Sequence, residues 1–270
     1  AIPSLSIPGS DPKVLMNSAA KVLDTFAGLL PWDSIDIYSA AGGAPAVIAR
    51  KDPQPGFPTV MLYAHHDVQP AGDLEQWQSD PFVAEVRDGR MFGRGSADDG
   101  AGIITHFSAL SVLNDLVPNG GGLGVVLFIE GEEESGSPTF AQLLKERSDL
   151  LDADLIVVAD SDNPSPEIPA LTTSLRGVVG VTLSLQTLSS SVHSGLFGGP
   201  VPDALTTLVR VLATLHDDQG NVAVSGLIDA SHIEGDVDEA NLRDEAGLLE
   251  GIELWGSGSL SSRLWAKPAI

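Results

Sequence analysis

Val125-Val-Leu-Phe-Ile-Glu130-Gly-Glu-Glu-Glu134-Ser-Gly-Ser137 is the stretch that decides how this chain is read: an apolar run that stops in a knot of carboxylates. Val125 to Ile129 is rich in β-branched and aromatic side chains and is closed by Gly131, which suits a strand covered on both faces. In an open α/β sheet, chemistry collects just past the carboxyl ends of such strands. Glu130, Glu132, Glu133 and Glu134 repel one another, so they require a cation, protons or full exposure to water. A solvated acidic loop is the ordinary reading of an isolated acidic run. Here, however, other apolar runs also end in metal-type ligands.

Thr59 to Ala64 is the second strong strand pattern, and it runs straight into His65-His66-Asp67. Strand alternation puts His65 and Asp67 on one face and His66 on the other. A histidine can bind a metal through one ring nitrogen while a carboxylate accepts the hydrogen bond of the other. Surface histidines at a strand end are the plainer alternative. Leu155 to Ala159 is a third such run and leads into Asp160, where a turn helped by Asp162-Asn163-Pro164 competes with a ligand role. Gly93-Arg-Gly-Ser-Ala-Asp98-Asp99-Gly100 precedes a helical pattern over Ala101 to Leu116. It lacks the Gly-Lys-Ser/Thr ending of a phosphate loop, and two aspartates disfavour an anion while suiting a helix start. Plain N-capping by Asp98 or Asp99 is the alternative there.

Farther out, Asp11 to Leu30 has a helical apolar period with Asp11-Pro12 as cap and first turn. Short strands are expected over Ile35 to Tyr38 and Ala46 to Ala49, with Gly42-Gly43 between them, and a turn at Asp88-Gly89. A helix is expected over Pro138 to Arg147. Strands alternating with helices predict an α/β fold, a mostly parallel sheet flanked by helices, over residues 1–172. Near Ala170 to Arg176 the character changes. Gly177 to Leu188 alternates like a strand with one solvated face, and a helix follows over Asp203 to His216, so residues 173–270 read as the start of a second, α+β domain. Gly220 to Ser262 is acidic and weakly patterned.

Composition narrows the chemistry. The 270 residues contain no Cys, so thiolate sites and disulfides are excluded and any metal must be held by His, Asp and Glu. A net charge of −23 with no basic cluster argues against nucleic acid as a partner. No apolar run approaches the roughly 20 residues that cross a bilayer, and the first residues do not read as a signal peptide. Neither a membrane partner nor export is expected, and a cytoplasmic location suits the cysteine-free composition.

In order, His65-x-Asp67, Gly-Arg-Gly-Ser-Ala-Asp98, Glu-Gly-Glu-Glu133-Glu134-Ser-Gly-Ser, Val-Val-Ala-Asp160 and His193-Ser-Gly resemble the motif series of the co-catalytic zinc metallopeptidases. That family includes carnosinases and other dipeptidases, acetylornithine deacetylase, succinyl-diaminopimelate desuccinylase and glutamate carboxypeptidase. The resemblance implies two zinc ions, with cobalt or manganese also suited to the ligand set. It implies His65 and Asp160 on one ion, Glu134 on the other, Asp98 between them, Glu133 as general base and Asp67 as the partner of His65. It further implies that residues 173–270 belong to a lid and dimerisation domain. His193 falls where the family carries a lid histidine that donates to the oxyanion, often across a homodimer interface. Ser-Gly-x-Phe-Gly-Gly after His193, and Asp in place of Glu at position 160, resemble the dipeptidase branch, which implies a dipeptide or small peptide as substrate.

Two departures matter. Relatives usually carry a Lys two residues after the bridging Asp, where this chain has Gly100, so local changes in that loop are expected. Members of the family are also longer, and they return from the lid to supply a last histidine ligand and residues for the substrate carboxylate. His66, His106, His216 and His232 lack the flanks of that ligand, so the expectation is a fragment that is inactive by itself. An N-acyl amino-acid deacylase using the same metals is the alternative within enzymes, and a non-catalytic binding or assembly module is the alternative outside them.

Overall fold

The computed structural model describes residues 2–161, 163, 168–173, 175–228, 235 and 237–270. Internal contacts divide the chain into two units, Ala1–Thr172 and Thr173–Ile270.

The first unit is built on a five-stranded sheet of β1 (Ser34–Tyr38), β2 (Ala46–Lys51), β3 (Thr59–His65), β6 (Gly124–Glu130) and β7 (Leu155–Val158), in the order β1-β2-β6-β3-β7. The apolar run quoted first is its central strand. β6 is buried at all seven positions, because it is covered on both faces. Val125, Leu127 and Ile129 point into a core with Ala19, Val22 and Phe26 of α1 (Pro12–Phe26) and Leu110 of α2 (Gly100–Leu116). Val126 and Phe128 point the other way, onto Leu143 of α3 (Phe140–Glu146) and Leu151 of α4 (Ser148–Leu151). The period of 2 thus divides one strand between two hydrophobic layers. As the sequence predicts, Asp11 caps α1, its carboxylate accepting from the Lys13 N–H 2.9 Å away, with Pro12 in the first turn.

The sheet is mixed. β3 runs parallel to both β6 and β7, whereas β1 and β2 are antiparallel additions to one edge. α2 links β3 to β6 across one face, and α3 with α4 links β6 to β7 across the other. The carboxyl ends of three parallel strands therefore meet at one rim, where open α/β sheets place their ligands. A small hairpin, β4 (Glu85–Arg87) with β5 (Arg90–Phe92), turns at Asp88-Gly89, both with positive φ (49° and 76°), the two-residue turn that suits twisted strands.

The second unit holds α5 (Ser194–Phe197), α6 (Ala204–Ala213), α7 (Glu239–Glu245) and a wide helical turn, Ser262–Ala266. Asp203 caps α6 by accepting from Thr206 N at 2.7 Å. The strand expected over residues 177–188 is not formed: no ladder is present there, and Val178 and Val179 are 93% and 87% exposed. Alternation marks a surface able to join a sheet, but a strand forms only with a neighbour for its backbone groups, and no described segment supplies one. Asp162 and Pro164 of the expected turn, and His232, lie outside the described residues. Among the described residues no helix is long and apolar enough to cross a membrane.

Candidate metal centre

His65 is the last residue of β3 and is fully buried. Its Nδ1–H donates to the backbone carbonyl of Asp67 at 3.0 Å, and the Asp67 carboxylate lies 3.4 Å from the same nitrogen. That leaves Nε2 facing a cluster of oxygens: Asp98 Oδ1 at 2.9 Å, Glu133 Oε2 at 3.9 Å and Asp160 Oδ2 at 3.9 Å. Donor atoms of His65, Glu133 and Asp160, and of His65, Asp98 and Glu134, lie within 4.8 Å of one another in each group. The structure thus brings together His65, Asp67, Asp98, Glu133, Glu134 and Asp160, which come from the ends of β3, β6 and β7 and from the turn before α2.

Asp67 does more than face a histidine. Its Oδ1 accepts from the backbone N–H of Glu133 at 3.2 Å and its Oδ2 from that of Glu134 at 3.0 Å. One buried carboxylate therefore holds the turn that carries two other site residues. Burial alone would raise its pKa, but hydrogen bonds from His65 and the Glu134 N–H, with the charge of His65, hold it low. His65 shows the reverse balance. Burial acts to lower its pKa, and the hydrogen bond and charge of Asp67, with the charges of Asp99 and Asp160, outweigh this and push it up to about 10. The Glu133 carboxyl is raised, first by burial and then by the charges of Asp160, Glu134 and Asp67, with His65 opposing.

The four glutamates do not share one fate. Glu132 is buried and accepts from Ala44 N at 3.1 Å, and from Thr139 N and Thr139 Oγ1 at 2.6 Å each. Glu130 is buried and accepts from the Tyr63 hydroxyl at 2.7 Å; burial raises its pKa, and the hydrogen bonds of Ser137 and Tyr63 oppose that rise. These two are consumed in holding the fold, and only Glu133 and Glu134 face the cluster. Gln69, missed in the sequence, donates Nε2–H to Glu134 Oε2 at 2.8 Å and to its backbone carbonyl at 3.0 Å, which aims that carboxylate.

Asp98 and Asp99 divide the two roles the sequence left open. Asp98 reaches His65, while Asp99 caps α2, and the peptide bond between them is cis. Burial raises Asp99 to about 7, against the hydrogen bond and charge of His65 and the Gly102 N–H. At the departure from the family pattern, Gly100 N–H donates to Gly95 O at 3.0 Å, and an added Cβ would stand 2.5 Å from that carbonyl. The loop closes on itself where a side chain has no room.

Other histidines are engaged elsewhere. Nε2–H of His66 donates to Pro45 O at 2.7 Å and that of His106 to Tyr63 O at 2.8 Å, and burial lowers the pKa of both. His193 belongs to the second unit, where its Nδ1 accepts from Gly195 N at 3.0 Å at the start of α5.

A nitrogen and several carboxylate oxygens without sulfur form a donor set suited to zinc, cobalt or manganese. The Nδ1 hydrogen bond fixes the tautomer that leaves Nε2 free to ligate. Among the described residues the only ion pairs of these carboxylates are with His65, so the cluster calls for a cation. The sequence profile of Peptidase family M20/M25/M40 matches residues 61–242, more than half of the chain, and includes His65, Asp67, Asp98, Glu133, Glu134 and Asp160. The chain belongs to that family. Among curated M20 relatives, it is 37% identical over 232 residues to the cysteinylglycine-S-conjugate dipeptidase of Corynebacterium striatum, covering 84% of this chain and 50% of that protein. It is 33% identical over 190 residues to the Beta-Ala-His dipeptidase of Rattus norvegicus, covering 68% and 38%. The fold is similar to that of human carnosine dipeptidase 1, with a TM-score of 0.66 at 22% identity over 97% of this chain and 58% of that one. The chain spans half or less of the length of these curated relatives.

Proposed function

We propose that the protein is a metal-dependent hydrolase that cleaves the amide bond of dipeptides or small peptides at a two-zinc centre. The observation that carries this reading is the convergence of His65, Asp98, Glu133, Glu134 and Asp160 around one buried imidazole nitrogen. Membership of the M20 family and relatives that are cysteinylglycine-S-conjugate and Beta-Ala-His dipeptidases favour peptide substrates over acylated amino acids. His65 and Asp160 would hold one ion and Glu134 the other, with Asp98 serving both; cobalt or manganese would suit the same donors. When bound, such a pair of ions activates water and polarises a carbonyl oxygen. Glu133 supplies proton transfer: it takes a proton from the attacking water and passes it to the leaving nitrogen. Beside bound dications its carboxyl would stay ionised, ready to accept that proton. Asp67 keeps the Glu133 turn and the His65 ring in register, and Gln69 aims Glu134.

His193 and the rest of residues 173–270 act as lid and dimer contact of the complete enzyme, with His193 donating to the oxyanion. This chain alone is inactive, because His66 and His106 are committed to carbonyls and, among its described residues, the first unit offers no imidazole besides His65 that is free to ligate. The test is a panel of dipeptides, including Cys-Gly and β-Ala-His, against acetylated and succinylated amino acids, run on this chain and on a form extended to the length of its relatives. Dipeptide hydrolysis by the longer form is expected. Acylated substrates cleaved in preference would assign the deacylase activity instead, and no turnover of either would favour a binding module.

A further inference from the structure

We infer that Asp99 is a positioning residue that locks three ligand-bearing segments of the centre together, beyond its duty as a helix cap; the inference rests on the metal reading above. Asp99 is 2% exposed. Its Oδ1 accepts from Gly102 N at 3.1 Å, which is the capping bond of α2. Capping needs only that oxygen. The other, Oδ2, accepts from the backbone N–H of His65 at 3.0 Å. That N–H has no strand to pair with. The β3–β7 ladder ends at Tyr63 opposite Val158, and the next N–H of β7's continuation, Ala159, returns to Tyr63 O. His66 N–H turns instead to Glu130 of β6. Asp99 therefore stands where β7 would have continued, and it fastens the ligand at the end of β3 to the first turn of α2.

The third segment joins through Gly102. A Cβ there would collide with the backbone carbonyl of Ala159 and with the Asp99 carboxylate. The α2 start is thus pressed against the residue that precedes Asp160, at a distance only glycine permits. Asp98, joined to Asp99 by the peptide bond, approaches His65 Nε2 to 2.9 Å. One carboxylate so sets the mutual placement of His65, Asp98 and Asp160.

Asp99→Ser separates the two duties, since serine is a good helix cap but its short hydroxyl cannot also reach the His65 N–H. The full chain, wild type, Asp99→Ser and Asp99→Asn, is compared in three readouts: Zn²⁺ affinity by competition with a chromophoric chelator, the Co²⁺ absorption spectrum, and amide hydrogen exchange of the metal-free protein. Asp99→Ser is expected to keep protection across α2, to expose the His65 amide to faster exchange, to shift the Co²⁺ bands and to weaken Zn²⁺ at least tenfold, the scale of losses seen when groups that orient ligands are removed. Zn²⁺ affinity within twofold of wild type and unchanged Co²⁺ bands would reduce Asp99 to a cap. Should Asp99→Ser fail to fold, the isosteric Asp99→Asn carries the same expectations and the same refutation. If the wild-type chain takes up no metal, the centre itself is refuted. The lock then stands on the His65 amide alone, and exchange unchanged in the variants overturns it.

Discussion

Removing the Asp67 carboxylate strikes the centre at its most connected point. In Asp67→Ala two backbone donors, the N–H groups of Glu133 and Glu134, lose their acceptor, and the imidazole of His65 loses the carboxylate 3.4 Å from its Nδ1. Each stranded donor in a buried setting costs about 1–3 kcal/mol. Allowing for some relaxation of the turn, the loss is roughly 3 kcal/mol. For a protein of this size each kcal/mol lowers Tm by roughly 2–4 °C, so a fall of roughly 6–12 °C is expected. The second consequence has a sign of its own. Burial is the largest influence on His65 and acts to lower its pKa, whereas Asp67 is the main influence raising it to about 10. Without Asp67 the imidazole gives up its proton at a markedly lower pH. Both effects are read on the metal-free chain with chelator present, by thermal unfolding and by NMR titration of the His65 ring. A Tm within about 1 °C of wild type, with His65 still titrating near its wild-type value, would refute the assignment of Asp67 as the post on which the ligand turn hangs.

Glu133→Gln in the extended enzyme should leave metal content unchanged and lower kcat by roughly 10²- to 10⁴-fold, since it removes proton transfer alone; metal analysis beside steady-state assays checks this, and loss of metal would make Glu133 a ligand. Leu127→Ala, at the centre of β6 and fully buried, should cost about 2–5 kcal/mol in denaturant unfolding, whereas Ile156→Ala on the exposed edge strand β7 should cost a small fraction of that. For the metal-free chain, His65 and Asp99 are both raised in the folded state, to about 10 and about 7. Such groups stabilise fully below their unfolded values, and that stabilisation is lost as pH rises through the folded ones. Asp67, held low, acts in the opposite sense and is lost only in acid. His66 and His106, lowered by burial, oppose this fall up to their unfolded value of 6.5, so thermal scans with chelator should show Tm falling from pH 7 to pH 9, and a steady rise over that range would contradict the assigned shifts.

Much of this is legible in the sequence. Thr59 to Ala64, Val125 to Ile129 and Leu155 to Ala159 are apolar runs that stop at acids or histidines, and those stops are the rim where the site lies. What the pattern of residues does not encode is partnership. Four glutamates look alike in sequence, yet Glu132 is spent on Ala44 and Thr139 and Glu130 on Tyr63, contacts made across the fold. Asp98 and Asp99 were equal candidates for capping until the structure gave one to His65 Nε2 and the other to backbone donors. Gln69 carried no signal, because an amide after Asp67-Val68 looks like any loop residue. Strand direction escaped as well: nothing in the composition of β2 says that it meets β6 antiparallel. Residues 177–188 show the converse, a strand pattern without the neighbour that makes a strand.

The measurement that bears most directly on a metal centre at the ends of β3, β6 and β7 is bound zinc per chain, by elemental analysis after loading and desalting, for wild type beside Asp98→Ala. Wild type should retain zinc, up to two ions, and Asp98→Ala should lose what wild type holds, because that carboxylate lies closest to His65 Nε2. Wild type that retains none, or a variant that retains as much as wild type, would contradict it.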